Sequence, residues 1–168
     1  MHNAKIDDPI EAVLKKEICQ WIELNITKQY SARDRNFNPG TFLIEHASLY
    51  KSVVNGAPKE NPHECFHNAS LKMLYDPEQK TRYVEGIVWH EKLPPFYHGW
   101  NMENGMVIDY TITPTEKDTY FGVVIPNHLV IKAMSNVPKT RQSLFGVLGT
   151  LSQYKASEKF IKELTRID

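Results

Sequence analysis

Three side chains, Cys65, His98 and Asp109, are of the types that a thiol nucleophile, its proton-transfer partner and an orienting carboxylate require. Sulfur attacks as the thiolate, which a helix N-terminus and a neighbouring imidazole both favour. The imidazole must then hand a proton to the leaving group, and a third group must fix its tautomer and orientation. Taken singly, each residue has an ordinary role: a small core thiol, one surface histidine among seven, a solvated strand carboxylate. Their chemistry depends on the elements that position them.

Residues 96–113 (FYHGWNMENGMVIDYTIT) read as a β-hairpin, with Asn104-Gly105 suited to the two positive-φ positions of a type I′ turn. That turn pairs Glu103 with Met106, Trp100 with Asp109 and His98 with Thr111. Alternation then puts His98, Trp100, Asp109 and Thr111 on one face, with His98 and Asp109 diagonal neighbours. Cys65 opens a helical stretch, 65–75, after the proline-bearing loop 55–63, where backbone N–H groups are unpaired and can also stabilise an oxyanion. Around these three, Asn61, His63, Asn68, Glu85 and Trp100 are candidates for substrate or oxyanion contacts. Glu85 also reads as a solvated strand residue, Trp100 as hairpin packing or a cleft wall, and Asn68 as a substrate contact or a solvent-facing residue. Tyr120-Phe121-Gly122 reads as core.

The rest of the chain supplies the frame. Asp7 and Asp8 before Pro9 are an N-cap signal, and the spacing of Ile10, Val13, Leu14, Ile18, Trp21 and Ile22 predicts an amphipathic helix over 9–25. Cys19, amid apolar neighbours, reads as a buried, inert thiol. Residues 28–40 read as a polar loop with Asn38-Pro39-Gly40 as its turn, and 41–54 are ambiguous between strand and helix, with His46 a structural histidine. Strands are expected over 82–90, 96–103, 106–113 and 119–126. Asn127 can cap a helix over the residues that follow it, and further helices are expected over 144–154 and 156–167. The expectation is α+β: an antiparallel β-sheet meander packed with N- and C-terminal helices. At 168 residues it reads as one domain, 1–168, with a core at about 60–125 and flanking helices 9–25 and 127–167.

Twenty basic and twenty acidic residues cancel, so nothing in the bulk charge points to nucleic acid or an anionic membrane as partner. The start, MHNAKIDDP, has no apolar signal region and no run approaches a membrane span, so a cytoplasmic location is expected. Two cysteines are too few for a disulfide framework. No glycine-rich loop of phosphate-binding spacing occurs, and no cofactor is expected.

The phrases Glu64-Cys65-Phe66-His67-Asn68-Ala69, Tyr83-Val84-Glu85-Gly86, His98-Gly99-Trp100-Asn101 and Gly105 to Thr111 resemble the core of papain-like cysteine hydrolases, closest to the transglutaminase-like arrangement. The likeness covers roughly residues 60–125 and extends to small uncharacterised proteins of bacteria and their phages. It implies Cys65 as nucleophile, His98 as general base and acid, and Asp109 as orienting carboxylate. It also implies cleavage or transfer at an amide or related acyl bond of a protein, peptide or small amide. One departure stands out: such enzymes place a glutamine shortly before the cysteine, whereas none occurs between Gln29 and Cys65. Asn61 is the nearest side-chain amide and His63 another donor. Two other readings compete. One is a non-catalytic binding protein on the same fold, such as a phage-encoded modulator of a host factor. The other is a zinc site using His63, Cys65 and His67, with His98 as a fourth ligand, although no second Cys or His pair stands at zinc-site spacing.

Overall fold

The apolar alternation in the middle of the chain is realised as one antiparallel sheet of five strands. These are β1 (Ser48–Lys51), β2 (Arg82–Trp89), β3 (Phe96–Glu103), β4 (Met106–Ile108) and β5 (Thr119–Ile125), in the order β1-β5-β2-β3-β4. The computed structural model describes residues 9–31, 37–51, 60–90, 92–135, 146–153, 158–164 and 166. Helices flank the sheet in sequence. α1 (Pro9–Ile22) runs through a π-helical turn (Glu23–Thr27) into α2 (Lys28–Ser31), and α3 (Pro39–His46) and α4 (Cys65–Leu74) precede β2. α5 (Asn127–Ser135), α6 (Val147–Gln153) and α7 (Glu158–Leu164) follow β5. The class is α+β.

The hairpin forms as its turn dictates. Asn104 and Gly105 hold φ of 51° and 79°, and the register runs Glu103 to Met106, Met102 to Val107 and Asn101 to Ile108. There it stops, five residues short of the expected strand end. The Asp109 carboxylate accepts the backbone N–H groups of Thr111 and Ile112 at 2.8 and 3.0 Å, and this local turn replaces the ladder. The expected pairings Trp100 with Asp109 and His98 with Thr111 are therefore not made. The meander is also corrected: β5 crosses back to pair with β2 on the side away from β3, and β1, inside the ambiguous stretch, pairs with β5.

The sheet curls until its edge strands β1 and β4 meet. Its inner face encloses Val84, Val88, Trp100, Met102, Val107 and Tyr120. Its outer face, with Tyr83, Ile87, Phe121, Val123 and Ile125, joins Ile18, Ile22, Leu43, Leu129, Leu148, Phe160 and Leu164 in the larger core. The apolar stripe of α1 is used unevenly: Ile18 and Ile22 are fully buried and Leu14 packs partly buried against the core, whereas Ile10 and Val13 are exposed.

Three local readings change. Lys28–Ser31 continue the first helical run instead of opening a loop. Asn38-Pro39-Gly40 starts α3, since the Asn38 side chain accepts from Gly40 N and Thr41 N with Pro39 at the first helical position. Asn127 does not cap α5: its Oδ1 is buried without a partner, and Pro126 O takes the amides of Leu129 and Val130. The capping role expected of Asp7 and Asp8 falls outside the described residues, as do the ends of the last two predicted helices.

Candidate functional site

β3 brings His98 to the inner face of the curl, and the neighbouring strands make room for it. In the row across the sheet, His98 pairs with Gly86 and Gly86 with Gly122, so no side chain crowds the imidazole from β2 or β5. The Trp100 indole fills the space over Gly122, where a Cβ would come within 2.4 Å of the ring. It lies nearly parallel to His98, at 6.3 Å and 15°. Phe96 meets the imidazole edge-on from the other side, at 5.4 Å. His98 is thus buried, 2% exposed, among aromatic rings.

The turn that ends β4 gives Asp109 two jobs. One oxygen, Oδ1, holds the turn's amides; the other, Oδ2, lies 2.7 Å from His98 Nε2 and also accepts from the Tyr120 hydroxyl at 3.0 Å. With Nε2 committed to Asp109, Nδ1 is the ring nitrogen left for another partner. Cys65, at the head of α4, is near enough for its charge to act on the imidazole. Burial works to lower the proton affinity of His98, but Asp109 first and Cys65 second outweigh it, and the histidine is pushed up to about 9. Burial likewise opposes the charge on Asp109, while His98 and the amides of Ile112 and Thr111 hold its carboxyl below the usual range. Burial and the Asp109 charge push the Tyr120 phenol far above its ordinary range, so it remains a donor.

Cys65 is half-buried at the first position of α4. α4 covers the outer face of the sheet, yet His98 points inward. β4 pairs with β3 only over Asn101–Glu103, and α4 approaches β3 beyond that ladder. The approach is close because residue 99 is glycine: a Cβ there would come within 3.2 Å of Phe66 Cα. Glu64, in the cap position, makes no side-chain cap bond to the first turn; its carboxylate instead accepts from Asn61 Nδ2 at 3.1 Å. The amides at the head of α4, including that of Cys65, are left without that side-chain cap.

The other candidates scatter. Asn68 is buried, donates to Asn61 O at 2.8 Å and Thr111 Oγ1 at 3.1 Å, and lines a small cleft of about 220 Å³ together with Asn61, His67 and Lys72. His63 is exposed, with φ of 65°, one residue before the cap. Among the described residues no group of three or more His, Cys, Asp or Glu is placed to hold a metal ion, so His63, Cys65 and His67 do not form the zinc set. Trp100, 1% exposed, is interior packing and walls no open cleft.

Glu85 is not solvated. It is fully buried on the outer face, where its carboxyl accepts from Tyr83 and Tyr97 hydroxyls at 2.6 Å each, from Leu148 N at 3.0 Å and from Val147 N. Burial raises its proton affinity, and the role is to dock the start of α6 on the sheet. Cys19 is half-buried against the core, and burial raises its thiol, as its inert reading requires.

Tyr120, read from sequence as core, is core and also an Asp109 partner. The signal was available in principle, because residues 120 and 122 share a face and the pairing of β5 with β2 puts that face beside His98. It required the strand order, which the sequence does not supply. Among the described residues no helix is long and apolar enough to cross a membrane. No family model, curated protein or solved structure matches the chain.

Proposed function

We propose that this chain is a thiol-dependent hydrolase or acyltransferase acting on an amide or related acyl bond, with Cys65 as nucleophile, His98 as general base and acid, and Asp109 as orienting carboxylate. One observation supports the reading: a fully buried His98–Asp109 pair at 2.7 Å, with Cys65 at the first position of α4 near enough for its charge to act on the imidazole. The protonated imidazole beside the sulfur favours the thiolate. The sulfur adds to the acyl carbon, forming the C–S bond, and the tetrahedral oxygen takes the amides at the head of α4 in place of the missing glutamine. His98 gives its proton to the departing amine as the C–N bond breaks. Water, or an acceptor amine, then gives a proton to His98 and attacks the thioester, which returns the thiolate. The papain- and transglutaminase-like resemblance supports the same assignment on the residues quoted above.

The test needs no knowledge of the natural substrate. With p-nitrophenyl acetate, a burst of p-nitrophenol stoichiometric with protein and an acetyl group on Cys65 by peptide mass spectrometry are expected. The burst disappears in Cys65→Ala and slows in His98→Ala. A folded protein that gives no acyl adduct on Cys65 overturns the enzyme reading in favour of a binding protein on this fold.

A further inference from the structure

Oδ2 of Asp109 accepts from two donors at once, His98 Nε2 at 2.7 Å and the Tyr120 hydroxyl at 3.0 Å. Tyr120 is fully buried on β5, and its ring is fixed edge-on against Trp100 at 5.0 Å and 66°. Its hydroxyl is not aimed elsewhere. The second carboxylate acting on it, Asp118, is engaged with Thr115 N at 2.6 Å and lies 3.7 Å from His90 Nε2. We propose that Tyr120 is a positioning residue that sets how strongly Asp109 holds the His98 imidazolium, and so the pH range over which His98 can serve Cys65.

The charged and titratable groups around the pair are few. From α4 comes Cys65, from the turn after β4 comes Asp109, and from β5 comes Tyr120, on which the charge of Asp118, just before β5, also acts. The flanking residues of β3 are the uncharged Phe96 and Trp100, and β2 offers Gly86. A donor on Oδ2 draws off part of the carboxylate's negative charge, leaving less to stabilise the imidazolium. Removing it makes Asp109 the stronger partner and His98 the weaker acid. In the proposed reaction that weaker acid is slower to protonate the leaving group; this consequence alone rests on the thiol reading.

The experiment is an NMR titration of the His98 ring in the full chain, wild type against Tyr120→Phe, which keeps the ring packed on Trp100. A rise of roughly half a unit to one unit in the His98 midpoint is expected, a three- to tenfold change in its proton equilibrium. The same substitution in an Asp109→Asn background is expected to move His98 little, since the link is gone. Fluorinated tyrosine at position 120, a stronger donor of the same shape, is expected to shift the midpoint downward, and it serves if Tyr120→Phe does not fold. Equal His98 midpoints across the series overturn the proposal and leave Tyr120 as packing. Cys65 alkylation followed in parallel separates the two accounts. If it ignores His98 in the wild type, the thiol reading fails whatever Tyr120 does.

Discussion

Asn68 Nδ2 donates to Thr111 Oγ1 at 3.1 Å and thereby joins the helix that begins at Cys65 to the turn that holds Asp109. The same amide bonds Asn61 O at 2.8 Å, fixing the loop that leads into the helix. Asn68 is 4% exposed, Thr111 is half-buried and Asn61 lies at the surface. Asn68→Ala is expected to lower stability by about 1–3 kcal/mol, the cost of leaving such groups unpaired, as read from urea unfolding. It should also slow Cys65 alkylation, because the thiol loses its fixed distance from His98. Unchanged stability and unchanged reactivity together would show that the link carries no load.

The pH dependence of folding follows from the His98–Asp109 pair. His98 titrates near 6.5 in the unfolded chain and is raised to about 9, so its contribution is complete below pH 6.5 and disappears as pH rises through about 9. Asp109 is depressed from 3.8, so its contribution is complete above that value and is lost as pH falls through its lower folded value. The pair should therefore stabilise the fold most between about pH 4 and 6.5. The alkaline loss is on the order of 3 kcal/mol by the raised histidine. Urea midpoints across pH check this, and a wild type as flat from pH 6 to 9.5 as His98→Gln would contradict it.

Asp109 is tied to two backbone amides as well as to His98, and two substitutions separate these roles. Asp109→Ala leaves the buried imidazole and the turn amides without partners and is expected to cost about 3–5 kcal/mol. Asp109→Asn keeps an oxygen for Thr111 and Ile112, costs less, and brings the His98 midpoint down towards the ordinary histidine value. Thermal unfolding and ring NMR read the two effects. Equal losses for both variants would mean that the charge is irrelevant.

Glu85 predicts a stability effect with no change in thiol chemistry. Its four donors include two backbone N–H groups at the start of α6, which a glutamine amide cannot fully satisfy. Glu85→Gln should cost about 1–3 kcal/mol by this argument. Gly146→Ala should also destabilise, since a Cβ would come within 2.4 Å of the Glu85 carboxyl. The α6 amides should lose hydrogen-exchange protection in both. A marked slowing of Cys65 alkylation in either folded variant would contradict the separation of the two sites.

What the sequence disclosed divides by range. Asn104-Gly105 fixed its own turn and the three pairs beside it, because a type I′ turn is decided by two residues. The His98–Asp109 contact was reached from that register although the ladder stops at Ile108; the expectation and the structure share the contact but not the pairing that predicted it. The stop depends on an Asp109 carboxylate taking amides two and three residues ahead, which strand alternation does not encode. Glu85 looked solvated because a carboxylate in a strand normally is, and its four donors come from residues up to 63 positions away. Tyr120 reads from sequence only as core for the same reason, since a strand order with β5 beside β2 is a long-range property.

The most direct measurement is the rate of Cys65 alkylation by iodoacetamide against pH, made in a Cys19→Ser background and compared with His98→Ala. Cys19, raised by burial, reacts slowly and is removed to leave one thiol. The account predicts that Cys65 reacts readily at neutral pH and that His98→Ala slows this reaction sharply. A Cys65 that iodoacetamide does not reach, or whose rate is the same with and without His98, contradicts it.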